Sequence, residues 1–410
     1  MPLAVTLWER KRSMINIAIM GLGTVGTGVA RLVEENADSI RRKLGEELRV
    51  KSILMRRMKD GPYQSKMTLQ FSDILNDPEI RVVVETIGGV GPAYEYTRQL
   101  LAAGKHVVTA NKQLVAEKGR ELLQIARDAG VNYLFEASVG GGIPVLHALT
   151  QTLVANRIDE VYGILNGTSN FILTNMTRNG ALFEDVLRDA QAKGYAEADP
   201  TADVQGIDAG RKTCILADLA FGVEVFPEKV PMEGIADLSL KDVRIAEQAG
   251  YGVKLVGRTL RMPGGGRTAY VAPHLVSKEL PLSNVEDVFN AVVVRGNATE
   301  EVMFYGRGAG ERPTASACVS DVVEALQNSV YRPEIGWKED DGAFVDPCEL
   351  ADRFYFRITG SAADAVAAFG RVEILAKGEE TAFLTESIRG EQAEKLSRSL
   401  NVLARMRVLA

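Results

Sequence analysis

The residues best suited to acid–base chemistry are Asp208 and Lys212, which lie four positions apart. On a helix this spacing places both side chains on one face. Asp199 and Pro200 predict the start of that helix, because Asp caps free N–H groups and Pro suits the first helical position. The apolar run 213–220 follows, so Lys212 borders a buried segment, where a desolvated lysine has a lowered pKa and can exchange protons. Adjacent carboxylates suit a substrate ammonium; the alternative is a solvated ion pair worth about 0.3–0.5 kcal/mol.

A glycine-rich stretch follows the first strand-like run, Met14–Met20, and opens a helical pattern that continues to about Arg42. Its three glycines have the spacing of a dinucleotide-binding turn. Gly21 permits a tight turn, Gly23 lets the backbone approach a pyrophosphate, and Gly26 lets the helix pack closely on the strand. The helix N-terminus then presents N–H groups and a positive dipole end to phosphates. We therefore predict a dinucleotide site; the alternative is a glycine-rich turn without a ligand.

The end of the second predicted strand, Arg49–Met55, bears on the choice between NAD and NADP. An acidic residue at this place binds the ribose 2′-hydroxyl, whereas arginine accommodates a 2′-phosphate. The strand is followed by Arg56 and Arg57 rather than by Asp or Glu, so we predict that NADP(H) is used at least as well as NAD(H). The alternative to phosphate binding is that both arginines are solvated surface charges. For Arg57 we favour this alternative.

Two further stretches end predicted strands, where α/β folds place their ligands. They are Thr109–Lys112 and Glu136–Pro144, and the second contains three consecutive glycines that suit a ligand, an ion or a domain hinge. The polar stretch Asn166–Asn170, predicted as a loop after a strand, allows the same interpretations. Structural roles are predicted for the three histidines, His106, His147 and His274.

The elements that must position these residues follow two patterns. Up to Gly142, buried strands alternate with helices, which predicts βαβ units and a parallel, doubly wound sheet. The strands expected there are 81–86, 106–109 and 133–136, and the helices are 92–103 and 117–129. Beyond it, strands at 252–260, 269–275, 291–296 and 301–305 follow one another without helices, which predicts a mixed or antiparallel sheet. Further helices are expected at 144–155, 182–221 (interrupted), 314–328 and 391–403.

Composition and charge narrow the class of protein. The 410 residues are 46% hydrophobic and carry a net charge of −6, so electrostatics give no reason to expect nucleic acid as a partner. No apolar run has the roughly 18 residues of a membrane span. The three cysteines and three histidines are scattered and lack the spacing of metal ligands, which argues against a zinc site. So few cysteines also argue against a disulfide framework, so we expect the protein to be located in a reducing cytoplasm. The first strand-like run begins at a methionine, Met14, so residues 1–13 are expected to be an extension.

Seven stretches, in this order along residues 14–330, resemble homoserine dehydrogenases. They are GLGTVGTGV (21–29), ETIGG (85–89), TANKQLVA (109–116), EASVGGGIPVL (136–146), GILNGTSNFILT (163–174), GYAEADPTADVQGIDAGRK (194–212) and GRGAGERPTASACVSD (306–321). The resemblance implies NAD(P)-dependent interconversion of L-homoserine and L-aspartate 4-semialdehyde, a step toward threonine, methionine and isoleucine. It also implies a homodimer or homotetramer, assembled through the central domain.

The resemblance further implies roles for individual residues. Lys212 would handle the proton on the substrate oxygen, and Lys112 would lie between cofactor and substrate. The substrate would be held by Glu197 and Asp208, and we count Asp203 of the same stretch with them. The positions near the cofactor would be Gly23, Thr24, Val25, Arg56, Thr86 and Gly310, and the glycine spacing described above adds Gly21 and Gly26. A loop for a monovalent cation, usually sodium, would be formed by Glu136, Val139, Gly141 and Ile143.

The predicted fold class is thus α/β, with an N-terminal Rossmann-type parallel sheet, a central α+β domain for substrate and dimerisation, and a small α+β tail. The expected domains are 14–143 plus 306–330, then 144–305, a linker at 331–348, and a shortened ACT-like tail at 349–410. The stretch Thr359–Ala363 replaces the family's amino-acid-binding loop. This difference argues against feedback inhibition by threonine through the tail. We expect a role of the tail in assembly at least as much as a regulatory role.

Two alternatives remain from the sequence. The first is another Rossmann oxidoreductase, such as aspartate-semialdehyde dehydrogenase, which needs a nucleophilic cysteine. Cys214 and Cys318 lie in apolar helical stretches and Cys348 in the linker, so none is placed for activation. The second is a cofactor-binding sensor without catalysis, which would bind NADPH and leave homoserine unchanged.

Overall fold

The computed structural model describes residues 14–328 and 336–410. The predicted extension at 1–13, and residues 329–335 of the predicted Rossmann segment and linker, lie outside the described residues. The chain divides into two compact units: unit 1 holds 14–152 with 309–338, and unit 2 holds 153–308 with 339–410. Within the described residues, no helix has both the length and the hydropathy of a membrane span.

Unit 1 contains a six-stranded sheet in which every pairing is parallel. Its strands are β1 (Met14–Met20), β2 (Glu47–Leu54), β3 (Met67–Thr68), β4 (Ile80–Glu85), β5 (His106–Thr109) and β6 (Tyr133–Leu134). Their spatial order, β3-β2-β1-β4-β5-β6, is that of doubly wound dinucleotide-binding folds. The predicted parallel sheet is therefore confirmed. The neighbouring strands β1 and β4 are mostly apolar and buried, because a sheet covered on both faces needs apolar side chains on both sides.

The helices of unit 1 cover this sheet. They are α1 (Thr24–Glu35), α2 (Ala37–Leu44), α3 (Ser72–Leu75), α4 (Gly91–Ala102), α5 (Lys112–Ala129), α6 (Val145–His147) and α12 (Glu311–Gln327). The single helix predicted up to Arg42 is two helices, interrupted at Asn36. The helix predicted over 144–155 is instead the short α6 followed by a π-helix, Ala148–Thr152.

Unit 2 contains a mixed nine-stranded sheet, as expected. In spatial order its strands are β11 (Glu300–Arg307), β10 (Phe289–Gly296), β7 (Ile158–Ile164), β8 (Tyr251–Arg261), β9 (Arg267–Ser277), β17 (Asn401–Leu409), β13 (Phe354–Thr359), β15 (Glu380–Thr385) and β14 (Val372–Ala376). A separate pair is formed by β12 (Ala351–Asp352) and β16 (Ile388–Arg389). The pairing of β17 with β9 is parallel and the others are antiparallel.

The tail continues the central sheet through that parallel pairing. Its order, β13, α13 (Ala362–Phe369), β14, β15, α14 (Gly390–Ser397) and β17, is the βαββαβ pattern predicted in shortened form. The predicted helix 391–403 ends at Ser397, and β17 begins at Asn401. β17 lies between β9 and β13, so it gains backbone hydrogen bonds on both sides, which outweighs the local helical pattern.

The remaining helices of unit 2 are α7 (Gly167–Asn179), α8 (Phe183–Ala192), α9 (Thr201–Val204), α10 (Ile207–Phe221) and α11 (Leu240–Gln248). The stretch Asn166–Asn170 is thus not a loop: Asn166 caps α7, because its side chain accepts the N–H of Ser169. Asp199 and Pro200 precede only the single turn α9, and the helix that carries Asp208 and Lys212 begins separately after Gly206, which has a φ of 79°.

Candidate functional site

The turn between β1 and α1 is built by its glycines. Gly21 has a φ of 97°, a conformation that side chains rarely adopt. A Cβ on Gly26 would lie 2.1 Å from the carbonyl oxygen of Gly21, so only glycine permits this approach of helix to turn. Gly23 precedes α1, and within the described chain its terminus has no side-chain cap. The first N–H groups of α1, from Thr24, Val25 and Gly26, are therefore available to an anionic group.

A cleft of about 590 Å³ lies beside this turn in unit 1. Its lining residues are Gly21, Leu22, Gly23, Leu54, Met55, Arg56, Arg57, Lys59, Leu69, Thr86, Ile87, Pro92 and Tyr96. Thr86 joins β4 to the glycine turn, because its hydroxyl donates to the carbonyl oxygen of Gly21 at 2.9 Å. Arg56, Arg57 and Lys59 are all exposed. The cleft therefore combines a glycine turn, a helix N-terminus and three cations.

Two of the residues implied near the cofactor lie elsewhere in unit 1. Gly310 precedes α12 with a φ of 117° and is not one of the cleft-lining residues. Lys112 is the first residue of α5 and is partly exposed. The helix predicted to begin at Glu117 begins five residues earlier, because the side chain of Asn111 accepts the N–H of Leu114 at 3.2 Å and caps it.

Glu85, which the sequence analysis did not single out, ends β4 at the same edge of the sheet. It has no exposed surface, and its carboxylate accepts the hydroxyl of Thr109 and the N–H of Ile87, each at 2.6 Å. Burial raises the pKa of Glu85, and these hydrogen bonds oppose the rise. The signal in the sequence was a carboxylate that ends a mostly apolar strand, three residues before the pair Gly88 and Gly89.

The glycine-rich stretch 136–143 folds into a turn that begins with a 3-10 helix at Glu136–Ser138. The Glu136 carboxylate accepts the N–H groups of Leu146 at 3.1 Å and His147 at 2.5 Å, so it caps α6. Burial raises the pKa of Glu136 to about 7, although those backbone bonds oppose the rise. The carbonyl oxygens of Glu136 and Ile143 each accept a backbone N–H and keep a second lone pair for another ligand.

In unit 2, Lys212 and Asp208 form a buried pair on α10. The Lys212 ammonium donates to the Asp208 carboxylate at 2.7 Å and to the carbonyl oxygen of Leu165 at 2.6 Å. Less than a tenth of either side chain is exposed. A solvated ion pair, the alternative considered from the sequence, does not describe this burial.

Asn166 links the buried pair to a second carboxylate. Its side-chain amide donates to Asp203 at 2.7 Å and to Asp208 at 2.9 Å. Asp203 lies on α9, and burial raises its pKa while the bond from Asn166 opposes the rise. An asparagine that follows a predicted strand is a weak signal for such a bridge, because the two carboxylates that it joins lie 37 and 42 residues further along the chain.

Glu197 lies apart from this hydrogen-bonded cluster. It is exposed and lies in the segment between α8 and α9. The backbone carbonyl oxygen of Glu197 accepts the side chain of Gln191 at 3.2 Å. Of the residues implied to hold the substrate, Asp203 and Asp208 are therefore joined by contacts, and Glu197 is placed on a neighbouring surface segment.

Two histidines and the three cysteines are poorly placed for catalysis. Burial lowers the pKa of His106 to about 4 and that of His274 to about 3, so both are neutral near pH 7. Burial likewise raises the pKa of Cys214, Cys318 and Cys348, which opposes formation of a thiolate nucleophile. In the described ranges, no group of three or more His, Cys, Asp or Glu side chains is arranged to hold a metal ion.

Two family models match consecutive parts of the chain. The family model described as homoserine dehydrogenase matches residues 144–323, and that described as homoserine dehydrogenase, NAD binding domain, matches residues 21–136. The homoserine dehydrogenase of Bacillus subtilis is 43% identical over 319 residues, covering 77% of this chain and 73% of that protein.

Solved structures give the same result over the whole fold. A homoserine dehydrogenase from Thiobacillus denitrificans superposes with a TM-score of 0.89 at 37% identity, covering 97% of this chain and 98% of that one. A hyperthermophilic archaeal homoserine dehydrogenase in complex with NADPH gives 0.66 at 28% identity, covering 78% and 100%. The resemblance inferred from the seven sequence blocks is confirmed, and the chain belongs to the homoserine dehydrogenase family.

Proposed function

We propose that this chain interconverts L-homoserine and L-aspartate 4-semialdehyde, with Lys212 as the acid–base group. The observation that carries the proposal is the buried pair of Lys212 and Asp208, joined through Asn166 to Asp203. A lysine held by a carboxylate and a carbonyl oxygen has a fixed nitrogen, which general acid–base catalysis requires.

Oxidation of homoserine removes a hydride from a carbon atom and a proton from the hydroxyl group, so the site must accept both. A bound nicotinamide cofactor supplies or accepts the hydride at the substrate carbon. When homoserine is oxidised, a neutral Lys212 amine takes the hydroxyl proton; in the reverse direction the Lys212 ammonium returns a proton to the aldehyde oxygen. Asp208 holds the Lys212 nitrogen in place at 2.7 Å and stabilises its charged form.

Recognition of the substrate ammonium falls to the carboxylates of this cluster. Asp203 and Asp208 lie on one network through Asn166, and two oxygen-rich groups suit a cationic amine. We assign Glu197 to the same task as a surface carboxylate on the adjoining segment 193–200. Its exposure is compatible with a residue that engages the substrate only on binding.

The cofactor is proposed to bind in the cleft of unit 1. The glycine turn fits a pyrophosphate, because a Cβ on Gly23 would meet no protein atom within 4 Å and its absence leaves space at the helix N-terminus. Arg56, with Arg57 and Lys59 beside it, favours a 2′-phosphate and hence NADP(H), which accords with the NADPH complex of the archaeal relative. Thr86 and Gly310 are assigned to the cofactor environment, and Lys112 is assigned a place between cofactor and substrate.

A monovalent cation is proposed for the turn at Glu136, Val139, Gly141 and Ile143, with sodium as the expected ion. The turn supplies backbone carbonyl oxygens, which are hard ligands suited to such an ion. Gly140 and Gly141 have φ values of 74° and 54°, conformations that let the backbone fold tightly at this point. The cation would be structural.

Assembly and location stay predictions. We propose a homodimer or homotetramer, which light scattering of the purified chain tests directly. The cytoplasmic location predicted from the scattered cysteines, and the expected absence of threonine feedback through the tail, rest on the sequence alone.

The test of the function is an assay of homoserine oxidation with NADP⁺ and with NAD⁺ at equal concentrations, followed as reduced cofactor. We expect turnover with both, a higher kcat/KM with NADP⁺, and no inhibition by threonine. NADPH binding without any homoserine turnover would favour the sensor alternative instead.

A further inference from the structure

We propose that Glu85 is a positioning residue for hydride transfer, because it fixes the loop 86–89 and, through Thr109 and Asn111, the first turn of α5, which carries Lys112. The proposal deepens the proposed function and rests on it. All the residues involved belong to unit 1.

Glu85 lies where two strands end side by side. In the parallel register Glu85 is paired with Thr109 of β5 and with Met20 of β1. Glu85 and Thr109 have no exposed surface. A carboxylate so deeply buried is costly unless donors surround it, so the donors that surround Glu85 indicate what it holds.

The first oxygen of the carboxylate holds the loop after β4. Oε1 accepts the N–H of Ile87 at 2.6 Å and that of Gly88 at 3.4 Å. Gly88 and Gly89 both have positive φ values, 82° and 68°, so this loop has little conformational preference of its own. Ile87 and Thr86 of this loop line the cleft, and the anchor at Glu85 therefore sets the shape of one cleft wall.

The second oxygen holds the loop before α5. Oε2 accepts the hydroxyl of Thr109 at 2.6 Å, and that hydroxyl oxygen accepts the N–H of Asn111 at 2.9 Å. The side chain of Asn111 then donates to the carbonyl oxygen of Gly89 at 2.6 Å while it caps α5. The two loops are thus joined in a closed circuit of hydrogen bonds with Glu85 at its centre.

The circuit ends at Lys112. Asn111 is the cap of α5 and Lys112 is its first helical residue, so the position of Asn111 determines the position of the Lys112 backbone. A displacement of about 1 Å at a reacting group can lower a rate about 100-fold. Loss of the Glu85 circuit should therefore change catalysis beyond any loss of stability.

Thr109 offers a clean test, because Thr97 provides a matched control. Both are fully buried threonines of unit 1, and among the described residues the Thr97 hydroxyl has no hydrogen-bond partner. Thr109→Val and Thr97→Val remove the same atom from the same kind of surroundings. Thr109→Ser keeps the hydroxyl, and Glu85→Gln keeps the volume of the side chain while removing one acceptor oxygen.

The measurements are kcat and KM for L-homoserine, the dissociation constant for NADPH and the melting temperature of each variant. We expect kcat to fall at least tenfold in Thr109→Val and Glu85→Gln, NADPH to bind several-fold more weakly in Glu85→Gln, and Thr109→Ser and Thr97→Val to stay within about threefold of the unmodified chain.

Two results would overturn the proposal. If Thr109→Val folds and has the kcat and KM of Thr97→Val, the circuit is only structural, and this holds even if Glu85→Gln does not fold. If Thr109→Ser loses as much activity as Thr109→Val, the hydroxyl is not what matters. An unmodified chain that does not turn over homoserine would instead remove the proposed function, and this inference with it.

Discussion

Replacement of Lys212 by methionine separates the catalytic role of its amine from its structural role. The substitution keeps a long, flexible side chain but removes the ammonium that donates to Asp208 and to Leu165. If Lys212 is the acid–base group, kcat/KM for homoserine should fall about 100-fold to 10,000-fold. This corresponds to a barrier raised by about 3–5 kcal/mol.

The stability cost can be worked from the contacts. Removing one partner of a buried ion pair typically costs about 3–5 kcal/mol, because the other charge is left in a medium of low dielectric constant. The Asn166 amide still donates to Asp208 at 2.9 Å in the variant, so the carboxylate keeps at least this partner. We therefore expect a loss near the lower end, about 3 kcal/mol.

Lys254→Met is the matched control. Lys254 is as deeply buried as Lys212, at 5% against 6% exposure, and its ammonium donates to the carbonyl oxygen of Val285 at 2.6 Å. It also belongs to unit 2 but has no proposed contact with the substrate. We expect kcat/KM of Lys254→Met within about threefold of the unmodified chain, since a stability change alone does not alter the folded enzyme's chemistry.

The assay follows reduced cofactor in both directions, with NADPH affinity measured separately by fluorescence titration and stability by urea denaturation. Adding Asp208→Asn to Lys212→Met should recover part of the lost stability, because the uncompensated charge is gone, without recovering activity. The reasoning is refuted if Lys212→Met retains more than a tenth of the original kcat/KM. It is also refuted if the kcat/KM of Lys254→Met falls as far as that of Lys212→Met.

Three further perturbations test the cofactor cleft and a buried charge. Gly26→Ala should lower both the melting temperature and the affinity for NADPH, because its Cβ would lie 2.1 Å from a backbone oxygen. Gly23→Ala should lower the affinity alone, because its Cβ would meet no protein atom within 4 Å. Equal melting temperatures for the two variants would contradict this. Arg56→Ser should raise the KM for NADP⁺ at least about tenfold and leave the KM for NAD⁺ unchanged, as measured by steady-state kinetics. The reason is that an arginine–phosphate bond is worth roughly 1.5–3 kcal/mol, which is a factor of about 10 to 160. Burial lowers the pKa of Lys254 from 10.5 to about 8. Between these pH values the unfolded chain therefore binds more protons than the folded chain, so stability rises with pH. Relative to Lys254→Met, the stability of the unmodified chain should rise by about 3 kcal/mol from pH 8 to 10.5. Urea denaturation of both chains at about pH 8 and pH 10.5 measures this rise, and a constant difference in stability between them would refute it.

Elements defined by a local pattern were predictable. β1 and β5 have the predicted bounds, Met14–Met20 and His106–Thr109, because a buried parallel strand is a short apolar run between polar or glycine-rich segments. The i,i+4 spacing of Asp208 and Lys212 likewise required only a helix, and α10 provides it. These are properties of neighbours in sequence.

Elements whose ends depend on capping were displaced in the predictions. The stretch Asn166–Asn170 was predicted as a loop, and the helix after Asn111 was predicted to begin only at Glu117. Each asparagine instead caps a helix that begins with the next residue. The same side chains also bond distant groups: Asn111 donates to Gly89, and Asn166 to Asp203 and Asp208. A capping asparagine and a loop asparagine are identical until the chain around them is folded.

The amino-acid sequence alone determined the parallel α/β class, the glycine turn for a dinucleotide, the pair Asp208 and Lys212 and the family, because each depends on residues close together in the chain. Only the tertiary structure decided that Lys212 is desolvated against Leu165, that Asn166 joins two carboxylates, and that Glu85 holds two loops. Burial and hydrogen bonding at these places come from strands and helices between about 24 and 47 residues apart in sequence, so no local pattern encodes them.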